Sequence, residues 1–301
     1  MPTPNLCNNK SENDAAITFI ASVFDAPVKS FSWASQLGQP DDAFWISKLN
    51  DEIATAIVVR PVQMTSHAWG IAIGMVATSP AHRRKGLASG LIDHTVSYYH
   101  NLGAEFAVLW AREALLPVYK ACGFTDIVGE FDYGLEPQML PENLAGGLLF
   151  QDFYSANHVA LEKFRMAWEA ACSLSKGPST ITRKLNNGQW QGISGARGNK
   201  FGILTKGPEQ DPEFYAVIAY GGDLILIIEF VGSSKCFDET LCWVKQNLGE
   251  QPIQYSVTSP SLDIVPSGSH IIKKQVNFFT MRRYFDTQPQ MTPHLTWLDR
   301  L

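Results

Sequence analysis

The chain contains 301 residues, about twice the length of a common single domain, which predicts two domains. Hydrophobic residues make up 45% of the sequence and aromatic residues 11%, so the chain can build packed cores. A formal net charge of −5 argues against non-specific nucleic-acid binding, and the sequence has no apolar run of about 18 residues that would predict a membrane span.

Cysteine usage and the N-terminal residues favour a cytoplasmic protein. The five cysteines are odd in number, widely scattered and without a C-x-x-C pair, a pattern typical of reduced thiols. The first residues lack the basic and apolar segments of a signal peptide. The seven histidines show no ligand spacing with cysteines or acids, so no metal site is expected.

The first part of the chain predicts a helix followed by a β-hairpin. Polar capping residues at 11–14 precede apolar positions with helical spacing. Two strand patterns, 44–49 and 53–62, flank Asn-Asp-Glu at 50–52, which indicates a hairpin turn. Residues 4–9 give only a faint signal for a strand before the helix.

The segment 76–89 is the most informative part of the sequence. An apolar strand pattern at 68–77 ends in Thr-Ser-Pro, a basic loop at 82–85 follows, and a helical pattern starts after Gly86. The N–H groups at a helix start point outward, the helix dipole is positive there, and the arginines add charge, so this arrangement favours an anion. Small residues at Gly86 and Ala88 let the backbone approach a bulky phosphate group closely.

The motif Arg83-x-x-Gly86-x-Ala88 resembles the Q/R-x-x-G-x-G/A signature of the GNAT superfamily, the acyl-CoA-dependent N-acyltransferases. The apolar strand before it and the amphipathic helix of about fifteen residues after it form the context in which that family shows the motif. A nucleic-acid or import patch is the other interpretation of the basic loop. Its position between a strand and a helix favours a diphosphate clamp.

A second motif follows at a spacing similar to that of the family. A short strand pattern at 106–110 and a helix pattern at 113–121 lead to Tyr119 and, after three residues, to Gly-Phe at 123–124. Together the two motifs cover roughly residues 10–135. The resemblance implies the α/β (α+β) class and the GNAT fold, which is a mixed, mostly antiparallel central sheet with helices on both faces.

The resemblance also implies how coenzyme A would bind. The diphosphate would accept hydrogen bonds from backbone N–H groups of the turn, and the pantetheine arm would run beside the preceding strand like an added strand. The thioester carbonyl would accept an N–H bond near Val76 or Ala77, and the alternative is that this strand is simply buried core. The coenzyme-binding residues expected on this basis are Val76, Ala77, Thr78, Arg83, Arg84, Lys85, Gly86, Leu87, Ala88 and Ser89.

By the same resemblance, Tyr119 is the candidate acid that protonates the departing thiolate, since an ordinary tyrosine pKa of about 10 keeps a proton available at neutral pH. The alternative is an aromatic side chain that packs the helix onto the sheet. The general base stays open, because residues 67–79 contain no acid. His67, Glu113, a water relay and an already neutral amine are the alternatives, and none is chosen.

The acceptor is expected to be a small-molecule or peptide amine. Aromatic and acidic residues occur in the segments that line the acceptor pocket in relatives, and together they would suit a cationic amine. The alternative is a core edge with a solvated loop. These residues are Phe31, Trp33, Phe44, Trp45, Trp69 and Trp110, with Asp25, Asp41 and Asp42.

The second half of the chain repeats the strand–helix–strand order of the first half without its phosphate motif. At the corresponding position the chain has Val-Gly-Ser-Ser-Lys-Cys-Phe-Asp at 231–238, with one glycine and one lysine. We therefore expect a GNAT domain at 1–135, a linker with Pro and Gly at 136–147, and a degenerate GNAT-like domain at 148–301. This layout resembles the tandem domains of the enhanced-intracellular-survival family, with no residues left for its sterol-carrier-like domain. An unrelated α+β domain is the alternative.

Hydrophobic spacing predicts two helices and seven strands in this half. The helices are expected at 159–174 and 238–248. The strands are expected at 181–185, 188–193, 201–204, 214–220, 224–230, 253–257 and 276–281.

The sequence favours an N-acyltransferase that moves an acetyl group from acetyl-CoA, its co-substrate, to an amine without a metal. Two alternatives stay open: a non-catalytic acyl-CoA binder that kept the phosphate clamp, and a protein-interaction platform built on the second half. The absence of an acid at 67–79 supports the binder. No nucleic-acid or membrane partner is expected, and a homo-oligomer is left open.

Overall fold

The chain divides into two compact units that are interleaved along the sequence. Unit 1 contains the residues up to Val128 and the segment that starts at Phe278, and unit 2 runs from Gly129 to Asn277. The structure is a computed structural model, and it describes residues 3–28, 43–64, 67–135, 147–152, 200–207, 213–249, 251–257 and 271–286.

Unit 1 is an α+β unit with helices on both faces of its sheet. The strand Glu52–Gln63 shows this. Its Ile57 and Val59 pack in the core under the helices Leu87–Asn101 and Leu116–Ala121, whereas Ala56 and Val58 pack under the helix Lys10–Val23. Successive side chains of a strand point to opposite faces of a sheet. The elements are β1 (Pro4–Leu6), α1 (Lys10–Val23), β2 (Ala43–Leu49), β3 (Glu52–Gln63), β4 (Trp69–Thr78), α2 (Leu87–Asn101), β5 (Phe106–Ala111) and α3 (Leu116–Ala121).

The sheet of unit 1 has the order β1-β2-β3-β4-β5, and residues 279–284 of β12 (Ile271–Tyr284) lie next to β5. Neighbouring strands are antiparallel except β4 and β5, which are parallel and are connected through α2. A parallel pair needs such a crossover connection, whereas antiparallel strands can be joined by a short turn.

The predicted hairpin is confirmed by the turn between β2 and β3. Asn50 and Asp51 both have positive φ, 49° and 64°, as a two-residue type I′ turn requires. The faint strand signal at 4–9 is also real, since β1 pairs with β2. Pairing with an edge strand depends on residues far along the chain, so a three-residue strand leaves little local pattern.

Unit 2 repeats the topology of unit 1. Its sheet has the order β7-β8-β9-β10-β11, and residues 131–135 of β6 lie next to β11. The parallel strands β10 and β11 are connected through a helix, α4, as β4 and β5 are through α2. The elements are β6 (Asp126–Leu135), which starts in unit 1, β7 (Leu148–Asp152), β8 (Lys200–Lys206), β9 (Phe214–Tyr220), β10 (Ile225–Val231), α4 (Ser234–Leu248) and β11 (Ile253–Val257).

The interleaving differs from the continuous domains, 1–135 and 148–301, expected from the sequence. The sheet of unit 1 includes β12, which pairs with β5 and which the chain reaches only after unit 2. The first strand of unit 2 is the later part of β6, which pairs with β11. Burial supplies the reason, because Met281 of β12 is fully buried in the core of unit 1. The expected linker, 136–147, lies almost wholly outside the described residues.

Helix α4 begins at Ser234, four residues before the predicted start at 238. The side chain of Ser233 accepts a hydrogen bond from the N–H of Cys236 and so caps the helix, a signal that the apolar spacing alone misses. The strands predicted at 214–220 and 253–257 are present. The predicted helix and strands between 159 and 193 lie outside the described residues.

Candidate functional site

A tight turn connects the end of β4 to the start of α2. A 3-10 turn, Pro80–His82, is followed by Arg84 with φ 62° and Gly86 with φ 74°, both left-handed conformations. Gly86 is the N-cap of α2 and provides no side-chain cap, and a Cβ added to it would meet no atom within 4 Å. Because the first N–H groups of a helix have no partner inside the helix, those of Leu87 to Ser89 have no acceptor within α2.

Three cationic side chains surround this approach, and all are exposed. The Nε of Arg83 donates a hydrogen bond of 3.2 Å to the carbonyl oxygen of Thr78, which ties the guanidinium to the end of β4. The Nζ of Lys85 lies 3.4 Å from Nδ1 of His82. Together with Arg84 these groups concentrate positive charge at the N-terminus of α2, where the helix dipole already favours an anion.

Strands β4 and β5 separate next to this turn. Their parallel pairing joins Gly70–Ile73 to Phe106–Leu109 and ends before Val76–Thr78. The edge of β4 that faces β5 is therefore unpaired with β5 beyond Ile73. An unpaired strand edge can receive an extended ligand through main-chain hydrogen bonds.

A β-bulge lies at the point where the two strands separate. Val58 is opposite Gly74 and Ala56 is opposite Ala77, so β4 has one more residue than β3 in this interval. Met75 takes a φ of 47° within the bulge. A bulge bends its strand and redirects the backbone groups beside it. Methionine carries no local signal for such a conformation, which is why the sequence does not predict the bulge.

Tyr119 lies on α3 and belongs to the core cluster against which Val76 of β4 also packs. Its side chain is 7% exposed, and its ring meets Phe124 edge-on at 6.4 Å between centroids. Burial, with a smaller contribution from Cys122, raises the pKa of Tyr119 to about 12. The phenol therefore keeps its proton at neutral pH but is a weaker acid than an exposed tyrosine.

Cys122 connects the end of α3 to the first turn of α2. Its buried thiol forms a hydrogen bond with the side chain of Ser89, and burial raises the pKa of the thiol. Ser89 therefore has two roles in the geometry: its hydroxyl holds α3, and its main chain belongs to the uncapped helix start. The sequence did not single out Cys122, because a lone cysteine carries no motif.

Arg283 reaches the same region from β12. One Nη1 atom donates to the carbonyl oxygen of Cys122 at 2.7 Å and to Oδ1 of Asp93 on α2 at 2.9 Å. The sequence did not single out Arg283 either, because 161 residues separate it from Cys122.

The described residues expected to line the acceptor pocket lie in several parts of unit 1. Phe44 and Trp45 are buried core residues on opposite faces of the sheet, which is the alternative considered for them. Trp110 stacks on Phe278 of β12 with 4.1 Å between ring centroids. Trp69 is partly buried against the core under α2, and Asp25 is exposed at the end of α1. Phe31, Trp33, Asp41 and Asp42 lie outside the described residues.

The candidates for a general base remain unassigned by their geometry. His67 is exposed in the turn before β4 with a φ of 68°, and Glu113 is exposed at the start of a 3-10 turn after β5. Among the described residues, no group of three or more His, Cys, Asp or Glu side chains could hold a metal ion. No helix in the described part of the chain is long and apolar enough to cross a bilayer.

The cationic turn, the parallel pair of β4 and β5 and the buried Tyr119 all lie in the N-terminal segment of unit 1. Residues 8–127 match the family model described as an acetyltransferase (GNAT) domain. The match covers most of unit 1 up to β6 and does not extend into unit 2. No curated protein matches the chain.

Solved structures extend the likeness over both units. A probable N-acyltransferase from Enterococcus faecalis has a TM-score of 0.68 at 14% identity, over 94% of this chain and 73% of that one. Eis1 from Mycobacterium abscessus has a TM-score of 0.65 at 13% identity, over 94% and 73%. A tandem GNAT protein from the clavulanic acid biosynthesis pathway has a TM-score of 0.50 at 11% identity, over 92% and 98%. At these identities the likeness shows the fold alone, and it confirms the predicted fold class.

Proposed function

We propose that the protein is an N-acyltransferase that moves an acetyl group from acetyl-CoA to an amine, with the coenzyme bound in unit 1. The observation that carries this proposal is the continuity between the unpaired edge of β4 and the uncapped start of α2. A ligand with an extended amide-containing arm and a diphosphate needs both features in this order. The match of residues 8–127 to an acetyltransferase (GNAT) domain supports the same chemistry.

In the proposed binding mode, the diphosphate accepts hydrogen bonds from the N–H groups of residues 84–89, and the pantetheine arm lies along Val76–Thr78. Arg83, Arg84 and Lys85 compensate the charge of the phosphates. A helix N-terminus with backbone N–H groups and nearby cations is a strong anion site, because hydrogen bonds, the dipole and charge act together. The side chains of Leu87 and Ala88 are only partly exposed and leave this surface to the main chain.

The reaction forms a C–N bond and breaks a C–S bond. The amine nitrogen attacks the thioester carbonyl, and the N–H near Val76 or Ala77 stabilises the developing oxyanion. The departing thiolate then accepts a hydrogen bond from the hydroxyl of Tyr119, and the attacking nitrogen loses a proton. We assign no residue to that last step, since β4 contains no acid between Trp69 and Thr78.

The pKa of Tyr119 refines its role. A thiol has a pKa of about 8.5, well below the value of about 12 to which burial raises that of Tyr119. Complete proton transfer from the phenol to the thiolate is therefore uphill. We infer that Tyr119 acts on the thiolate mainly as a hydrogen-bond donor. Where the phenol does transfer its proton to the thiolate, the proton released by the amine replaces it.

We also infer that unit 2 is a degenerate GNAT-like domain without a coenzyme site. Its turn after β10 differs from the turn after β4 in two respects. The side chain of Ser233 caps the helix, so one of the free N–H groups is already bonded. A Cβ added to Gly232 would lie 2.5 Å from the Cβ of Phe214, so this turn packs against the core where the other turn is open.

The second candidate function is a non-catalytic acyl-CoA binder. The lack of an acid on β4 and the weak acidity of Tyr119 favour it. A binder would use the same coenzyme site as the transferase and would differ only in having no turnover.

An amine panel with detection of the free thiol of coenzyme A tests both candidates. The full chain is incubated with acetyl-CoA and each amine, and calorimetry with coenzyme A is run in parallel. Thiol release that depends on an amine supports the transferase. Binding without release from any amine supports the binder, and the absence of binding contradicts both.

A further inference from the structure

Arg283 connects the two helices that carry the parts of the proposed site. It donates to the carbonyl oxygen of Cys122, the C-cap of α3, and to the carboxylate of Asp93 on α2. Helix α3 carries Tyr119, and α2 begins at the anion turn. A single side chain therefore joins the element that would hold the diphosphate to the element that would meet the sulfur.

The contact at the end of α3 is well suited to a guanidinium. The last carbonyl groups of a helix have no partner inside the helix and carry its negative dipole charge, so a cation is favoured there. Gly123 follows the C-cap with a φ of 81°, and a Cβ at this position would lie 3.2 Å from Cδ of Arg283. Glycine thus allows both the left-handed turn and the close approach of the arginine.

The contact with Asp93 attaches the guanidinium of Arg283 to α2. Asp93 lies between the first turn of α2 and its middle, and its carboxylate accepts from the same Nη1 atom. The hydrogen bond between Ser89 and Cys122 lies one turn closer to the helix start. Two links therefore hold the C-terminal end of α3 against the N-terminal part of α2, and neither link includes Tyr119 itself.

We propose that Arg283 is a positioning residue that sets the separation between the anion turn and the hydroxyl of Tyr119; this rests on the proposed acyl transfer. The coenzyme has a fixed reach from its diphosphate to its sulfur, so the two elements must be held at a matching distance. A displacement of about 1 Å at a reacting group can lower a rate about 100-fold. Arg283 comes from the strand that unit 1 receives after unit 2, so the geometry of the site depends on that strand.

Arg282 provides a matched comparison on the same strand. Its side chain points to the opposite face from that of Arg283, because neighbouring residues of a strand alternate, and its Nη1 donates to Asp126 at 3.1 Å. Loss of Arg282 removes the bond to Asp126, on the face of β12 opposite to the bonds of Arg283 with Asp93 and Cys122. A change seen for Arg283 and not for Arg282 therefore reports positioning and not the stability of the strand.

The test uses Arg283→Met, Arg283→Lys and Arg282→Met in the full chain, with rates corrected for the folded fraction. We expect Arg283→Met to lower kcat for the best amine 10- to 100-fold and to leave the Kd of coenzyme A within threefold. Arg283→Lys keeps the charge but not the planar fork and is expected to recover part of the loss. Arg282→Met is expected to lower Tm and leave kcat within threefold. An unchanged kcat in Arg283→Met, or a coenzyme Kd that weakens by the same factor as kcat, overturns the proposal.

A measurement without turnover separates this proposal from the proposed reaction. The chain is labelled with 3-fluorotyrosine, and the fluorine resonance of Tyr119 is assigned by its loss in Tyr119→Phe. In the presence of coenzyme A, Arg283→Met is expected to shift this resonance and Arg282→Met is not. A shift in a chain that acylates no amine keeps the positioning role and removes the reaction. An unshifted resonance removes the positioning role, whatever the activity.

Discussion

The hydroxyl of Thr55 donates a hydrogen bond of 2.8 Å to the carbonyl oxygen of Ala77 and lies 3.1 Å from the hydroxyl of Thr78. Thr55 is fully buried on β3, directly opposite Thr78. This side chain therefore holds the end of β4 from the β3 side, after the bulge has separated β4 from β5. The edge of β4 that faces β5 can stay unpaired because Thr55 holds the edge that faces β3.

Replacing Thr55 with valine is expected to lower the free energy of unfolding by about 1–3 kcal/mol, because a buried hydrogen bond is lost and polar partners stay buried. Thr18→Val is the matched control, since the Thr18 hydroxyl also bonds a backbone carbonyl at 2.8 Å but on the exposed face of α1. The control is expected to change stability by about 0.5 kcal/mol or less. Urea unfolding measures both, and equal effects would contradict the role of Thr55.

Substitutions at Gly86 are expected to act on coenzyme binding. Gly86→Glu puts a negative charge at the open helix start and should abolish coenzyme A binding in calorimetry. Gly86→Ala has space for its Cβ but must adopt a φ of 74°, so it should lower stability by about 1 kcal/mol. Gly90→Ala, also in open space but inside α2, should instead raise stability by about 0.5–1 kcal/mol. Retained binding in Gly86→Glu would contradict the anion site.

The turn before α2 and the turn before α4 are expected to differ in their affinity for coenzyme A. Lys85 and Lys235 are both exposed lysines at the start of a helix that follows the central strand of a unit. Lys85→Glu should weaken coenzyme A binding at least about tenfold, since it reverses a charge beside the diphosphate. Lys235→Glu should change the Kd by less than about twofold. Comparable losses in calorimetry would show that unit 2 takes part in binding.

Tyr119→Phe is expected to lower kcat and leave the Kd of coenzyme A unchanged. Tyr98→Phe, a partly exposed tyrosine on α2, is the control and should leave both unchanged. The measurement is the thiol-release assay combined with calorimetry. Equal kcat values for Tyr119→Phe and the parent would remove the phenol from the mechanism.

Tyr119 also predicts a pH dependence of stability. Burial raises its pKa from 10.0 to about 12, so the folded state holds the proton more tightly than the unfolded state. This contribution is fully present below pH 10 and is lost as the pH rises from 10 to about 12. The difference in unfolding free energy between the parent and Tyr119→Phe should therefore shrink above pH 10 and stay constant from pH 6 to 9. A difference that already changes in the neutral range would contradict the assignment.

Local chemistry explains which parts of the site could be predicted from the sequence. The anion turn depends on Gly86 and its basic neighbours, and the hairpin depends on Asn50 and Asp51, so each leaves a short pattern. The bulge at Met75 and the anchor at Thr55 depend on the register between two strands. Register is set by packing across the sheet and leaves no signal at a single position.

Long-range pairing explains the largest difference between the expectation and the structure. The sequence predicts a strand at 276–281, but nothing in its pattern indicates which sheet it joins. Strand β12 presents Met281 and Arg283 to one face of the sheet of unit 1, whereas Arg282 lies on the other. An apolar residue beside two arginines gives a weak alternation of apolar and polar positions. The sequence alone therefore does not identify the strand with which β12 pairs.

The ribosome synthesises β12 long after β5, and this delay has a consequence for biosynthesis. At about 5–20 residues per second, the 161 residues that follow Cys122, up to and including Arg283, take about 8–32 s to synthesise. During that interval the edge of β5 has no β12 to pair with, and an open strand edge invites pairing with other chains. We therefore expect slow codons between the two units to increase aggregation of the nascent protein, and a holding chaperone to reduce it.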